Sequence, residues 1–128
     1  MKTIFLIDDD TDDREIFQSA LESIDPTIHY TEAKDGQEAL NKMSGDDFKT
    51  PGLIFVDLNM PKVNGKEFLS AAKKMPQYKD IPVIIYSTSS IKEEKDKCIA
   101  DGAWGFMTKH SSYDALCKDL KKIIVEVL

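Results

Sequence analysis

Five short apolar runs alternate along the chain with longer stretches of helical period. The runs are "TIFLI" (3–7), "TIHYTEA" (27–33), "LIFVD" (53–57), "PVIIYS" (82–87) and "WGFMT" (104–108). The first, third and fourth are nearly continuous in apolar residues, as central parallel strands covered on both faces must be. The second is mixed and the fifth is short, which places them toward the sheet edges. Between the runs, Ile16, Phe17, Ala20, Leu21 and Ile24 form a helical stripe across 12–24. The segment "DGQEALNKM" opens on the turn pair Asp35–Gly36 and becomes helical through Ala39, Leu40 and Met43. A third helix is predicted over 64–74, starting near "NG". Ser90-x-x-Glu93 and Ser111-x-x-Asp114 read as capping boxes that open the fourth and fifth helices. The last helix carries an amphipathic face of Leu116, Leu120, Ile123 or Ile124, and Val127. "SGDDFKTPG" (44–52) reads as a somewhat long loop before strand three.

A strand followed by a helix, five times over, predicts a doubly wound, flavodoxin-like α/β fold. Its five-stranded parallel sheet has helices on both faces. Ligands of such sheets gather at the carboxyl ends of the strands, near the switch in strand order.

Composition narrows the class. The chain has 128 residues, enough for one domain with a core of its own, and 41% apolar against 31% charged residues is an ordinary balance. Five aspartates at positions 8, 9, 10, 12 and 13 account for most of the formal charge of −6. A general affinity for nucleic acid or anionic membrane is therefore not expected. The N-terminus lacks a signal-peptide pattern and no apolar run is long enough to span a bilayer. Cys98 and Cys117 match no metal or redox spacing and read as reduced thiols. These features predict a cytoplasmic protein.

The strand ends carry the candidate chemistry. Asp8 and Asp9 follow strand one, Asp57 ends strand three, Ser87 and Thr88 end strand four, and Lys109 follows strand five. Taken singly, each is an ordinary cap, turn or solvated charge. Together on one rim they form a coherent set, with carboxylates suited to a hard cation such as Mg²⁺ and a lysine to relieve their repulsion. Asp12 and Asp13 suit the first turn of the following helix, where the dipole favours negative charge. Asp10 is open between capping that helix and tuning access to the pocket.

The pieces "IDD", "LIFVDLNMPKVNG", "IPVIIYS" and "DGAWGFMTK", in that order and spacing, resemble the receiver domain of bacterial two-component response regulators. The resemblance covers essentially the whole chain and is closest to the single-domain type, similar to the chemotaxis response regulator. It implies a single receiver domain over 1–128 with no output domain. It also implies a phosphoacceptor at Asp57, a Mg²⁺ site formed by Asp8, Asp9, Asp57 and the backbone carbonyl of Asn59, and a Lys109 that pairs with the phosphoryl group. Ser87 would bond a phosphoryl oxygen, with Thr88 as a rival, and Phe106 occupies the aromatic switch position. The implied phosphodonor is a histidine kinase or phosphotransfer protein, and the implied output is a protein contact through the face of helix four, strand five and helix five. Trp104 would be either an exposed anchor on that face or a partly buried edge aromatic. The sequence departs from the family in carrying His110 after Lys109, where proline and a cis bond are usual.

Two other readings stay open on the residues alone. One is a pseudo-receiver that binds partners without being phosphorylated. The other is a haloacid-dehalogenase-like phosphatase using Asp8 as nucleophile and Asp10 as acid, although Asp12 stands where that motif expects threonine. No P-loop or dinucleotide fingerprint is present, and His29 and His110 lack metal-ligand company.

Overall fold

The computed structural model describes residues 2–88, 91–109 and 112–128. Strands and helices alternate as β1 (Thr3–Ile7), α1 (Thr11–Ile24), β2 (His29–Ala33), α2 (Gly36–Met43), β3 (Leu53–Val56), α3 (Gly65–Lys74), β4 (Val83–Ser87), α4 (Lys92–Ala100), β5 (Gly105–Thr108) and α5 (Tyr113–Val127). All pairings are parallel and the sheet order is β2-β1-β3-β4-β5. The mixed and short runs do occupy the two edges, and the switch in order falls between β1 and β3.

Alternation along the central strands divides the core into two layers. Ile4, Leu6, Leu53, Phe55, Ile84 and Tyr86 face Phe17 and Leu21 of α1 and Leu116 and Leu120 of α5. Phe5, Ile7, Ile54, Val56, Val83 and Ile85 face α2, α3 and α4. Every residue of β1, β3 and β4 is buried, which is why these strands show no polar alternation in the sequence.

The boundaries differ from expectation where side chains compete for the backbone. β2 begins at His29 rather than Thr27, because Asp25 Oδ1 accepts both the Thr27 N–H at 3.0 Å and its hydroxyl at 2.6 Å. Asp35–Gly36 is not a separate turn: Asp35 caps α2 by accepting the Glu38 N–H at 2.7 Å, and Gly36 is already helical. α3 opens with a full capping box between Asn64 and Glu67 that the reading of "NG" did not foresee. α5 is capped by Ser112, whose Oγ accepts the Ala115 N–H at 3.3 Å, one residue beyond the expected box. α4 follows Ile91, which supplies no side-chain cap. Ser90 and Ser111, on which the expected boxes rested, lie outside the described residues, as do His110 and its bond to Lys109. On α5 it is Ile124, with Leu116 and Leu120, that is buried, while Ile123 is half-buried.

Candidate functional site

Because every strand runs the same way, the residues that follow β1, β3, β4 and β5 meet on one rim. Asp8 is wholly buried there. Its N–H donates to the Ala33 carbonyl at 3.1 Å, and its Oδ1 accepts the Asp10 N–H at 3.0 Å. Asp57 follows β3 and is also buried; its N–H donates to the Ile7 carbonyl and its Oδ1 accepts the Asn59 N–H at 3.2 Å. Asp9 is exposed at the mouth. One carboxylate oxygen from each of Asp8, Asp9 and Asp57 lies within 4.8 Å of the others.

Lys109 closes the rim from the far side. Its backbone N–H donates to the Ser87 carbonyl at 2.8 Å, which extends the β4–β5 ladder by one rung. Its Nζ reaches Asp8 Oδ2 at 2.7 Å, Asp13 Oδ2 at 2.9 Å and Asp57 Oδ2 at 3.1 Å, and lies 5.2 Å from the Tyr86 ring centroid. Burial alone would weaken this ammonium as a base. The close contacts with Asp8 and Asp13 and the charge of Asp57 reverse that, leaving its pKa above the ordinary lysine value. Burial is the leading influence on Asp8 and raises its pKa, with Lys109 pulling the other way. Burial likewise pushes the Tyr86 hydroxyl up to about 12, so this ring stays neutral beside the cluster.

The donor set fits a small hard cation. It is all oxygen, it carries concentrated negative charge, and part of it lies in the mouth of the site. Asp8 Oδ2 strengthens the case: this buried oxygen meets Lys109 Nζ at 2.7 Å, and a carboxylate oxygen with that contact still has lone-pair capacity for a cation.

The loop from Asp57 to α3 is shaped by two backbone demands. Lys62 adopts a left-handed conformation at φ 62°. Gly65 sits so close beneath the end of β3 that a Cβ there would lie 2.4 Å from the Asp57 carbonyl oxygen and 2.8 Å from Leu58 Cα. Only glycine lets α3 approach the site this closely.

The structure thus brings Asp8, Asp9, Asp57 and Lys109 together. Ser87 is at the same rim, wholly buried at the end of β4, whereas Thr88 is exposed in the bend beyond it. Phe106 is half-buried on β5, with Lys95 Nζ of α4 5.1 Å from its ring centroid. Trp104 stands at the opposite end of β5 from Lys109 and is 47% exposed, so it is a surface aromatic.

Two residues of the site were not foreseen. Asp13 was expected only to complement the α1 dipole, yet it binds Lys109. Arg14, which no motif marked, donates from its Nη1 to the Asp8 carbonyl at 2.7 Å and from its Nε to Glu32 Oε2 at 3.1 Å, fixing β1 and β2 beneath the cluster. Asp10 is the α1 cap, its Oδ1 accepting the Asp13 N–H at 3.0 Å.

The family described as the response regulator receiver domain matches residues 4–121. Over 121 residues the chain is 31% identical to the sensor histidine kinase CheAY of Helicobacter pylori, covering 94% of this chain but 15% of that one. It is 31% identical to the two-component response regulator ARR17 of Arabidopsis thaliana, covering 83% of this chain and 74% of the relative. Among solved structures, the Vibrio cholerae chemotaxis protein CheY4 superimposes with a TM-score of 0.81 at 31% identity, over 100% of this chain and 99% of that one. The phosphorylated cyanobacterial phytochrome response regulator RcpA gives 0.89 at 30% identity, over 98% and 93%. With a receiver sheet throughout and an aspartate rim closed by lysine, the chain belongs to the response regulator receiver domain family, the phosphoryl acceptors of two-component signal transduction.

Proposed function

We propose that Asp57 is the phosphoacceptor and that Asp8, Asp9 and Asp57, with the backbone carbonyl of Asn59, hold Mg²⁺ beside it. The observation that carries this reading is the meeting of three carboxylates within 4.8 Å, with Lys109 Nζ 3.1 Å from Asp57 Oδ2. A carboxylate oxygen of Asp57 attacks the phosphorus of the donor; the new P–O bond forms as the donor's bond to phosphorus breaks, and the leaving group departs with its electron pair. The cation, when bound, supplies charge neutralisation at the acceptor and the phosphoryl oxygens. Lys109 then pairs with a phosphoryl oxygen in place of the Asp57 carboxylate, and the Ser87 hydroxyl bonds another. Burial of Ser87 and exposure of Thr88 favour Ser87 for this part.

One relative is named a sensor histidine kinase and another a two-component response regulator, which supports a histidine kinase or phosphotransfer protein as donor. A solved relative, Rcp1, is described in an Mn²⁺-bound form, which supports a divalent ion at the carboxylate cluster. Phe106, with α4, β5 and α5 around it, is the face on which we place the output contact, and no described helix is long and apolar enough to cross a membrane. We place the protein in the cytoplasm, where such donors act. Incubation with acetyl phosphate and Mg²⁺, followed by mass mapping, should label Asp57. Label on Asp8 instead would sink this assignment. Absence of any label, with partner binding unchanged in Asp57→Asn, would favour the pseudo-receiver reading.

A further inference from the structure

Three carboxylates converge on the Lys109 ammonium, and they are not equivalent. Asp8 and Asp57 belong to the cluster whose oxygens lie within 4.8 Å of one another; Asp13 does not. Asp13 comes from the first turn of α1. Its backbone N–H is held by the Asp10 cap, and its side chain is 36% exposed where that of Lys109 is only 10%. The ammonium is therefore largely enclosed, and among the described residues it meets the three carboxylates and the Tyr86 ring.

A divalent cation held by Asp8, Asp9 and Asp57 takes the same carboxylates that Lys109 contacts. Two positive charges compete for them, and a buried ammonium stripped of its anions is costly. We propose that Asp13 is a positioning residue for Lys109, the anion that keeps its ammonium at the rim when Asp8 and Asp57 turn to the metal. This inference rests on the assignment of the metal site above. Asp13 makes metal binding a transfer of Lys109 from three carboxylates to one, rather than its loss from all of them. From that position the ammonium remains beside Asp57, ready for the phosphoryl oxygens, and Asp13 never touches the reacting atoms.

The test is a titration of the intact protein with Mn²⁺ followed by electron paramagnetic resonance, with Mg²⁺ as competitor, so that affinity is read without turnover. Asp13→Asn should weaken metal binding by roughly three- to tenfold, the scale of one partly exposed ion pair. In a Lys109→Gln background the same substitution should change affinity less than twofold, because the competing ammonium is gone. Asp13→Glu, which needs no change at Lys109, should restore affinity to within about twofold of the wild type. Unchanged affinity in Asp13→Asn, an equal loss in both Lys109 backgrounds, or no rescue by glutamate would overturn the inference. Asp9→Ala separates the two layers. If it binds Mn²⁺ as well as the wild type, the metal-site assignment fails and takes the inference with it. If it loses the metal while Asp13→Asn keeps full affinity, only the role of Asp13 falls.

Discussion

Lys109 Nζ and Asp57 Oδ2 lie 3.1 Å apart although 52 residues separate them in the chain. The pair spans three strands of the sheet, since Asp57 follows the central β3 and Lys109 follows the edge strand β5. Asp57 is one of three carboxylates that share this ammonium, so the lysine is a structural counter-charge as well as a candidate participant in the chemistry.

Replacing that counter-charge should therefore destabilise the metal-free protein. Lys109→Met leaves Asp8 as an uncompensated buried carboxylate, and urea unfolding in EDTA at neutral pH should show a loss of about 3 kcal/mol. Part of the loss should be recovered on acidification, as Asp8 takes up a proton. An unchanged unfolding midpoint would mean that the cluster is neutralised in some other way.

Asp8 itself carries the opposite expectation. Burial raises its pKa in the folded protein, so the folded state binds this proton more tightly than the unfolded chain does. Its contribution therefore declines as pH rises from the ordinary aspartate value through the raised folded value. Above that range the full cost of a buried charge is present. Asp8→Asn removes the titration and should stabilise the metal-free protein at neutral pH, seen as a higher Tm. The advantage should vanish at pH below about 3.8, where Asp8 is protonated in both states. Added Mg²⁺ should raise the Tm of the wild type but not of the variant.

Gly65 tests the geometry of the acceptor loop. A methyl group at this position meets backbone atoms of Asp57 and Leu58, which cannot swing aside as a flexible side chain would. Gly65→Ala should cost about 1–3 kcal/mol in stability, as overpacking against fixed atoms does. It should also slow labelling of Asp57 by acetyl phosphate. Normal labelling with normal stability would show that α3 is free to retreat.

Cys98 reports on the integrity of the helical layer opposite α1 and α5. It is 1% exposed and burial pushes its thiol pKa up, so the reactive thiolate is disfavoured in the folded state. In a Cys117→Ser background, reaction with a disulfide reagent at pH 8 should be negligible until urea unfolds the chain. The same shift means that the thiol's contribution to stability is lost as pH rises above the ordinary thiol value. Rapid labelling of the native protein would indicate local opening of α4.

The sheet was legible in the sequence because β1, β3 and β4 are buried on both faces, and double burial leaves an unbroken apolar run. The edges were legible for the complementary reason: β2 mixes polar residues into its run. α4 was the least readable helix, since Cys98 is its only buried residue and Ile91 provides no side-chain cap. At the site, Asp8, Asp9, Asp57 and Lys109 were found by their place at the strand ends. Asp13 was not, because an acid in the first turn of a helix already has a sufficient local explanation in the dipole. Its link to Lys109 exists only once α1 is laid against the far end of the sheet, and no spacing within the chain encodes that. Arg14 escaped for a similar reason, because the partners that tie it to the site are a backbone carbonyl and a residue of β2.

The position of Lys109 in the last strand also has a consequence during synthesis. The acidic residues emerge from the ribosome first and Asp57 soon after, while the cation that balances them is still to be translated. Until then, in the absence of a bound cation, the carboxylates repel one another with no lysine among them. Without a bound cation, the site gains its balancing charge only when the edge strand docks.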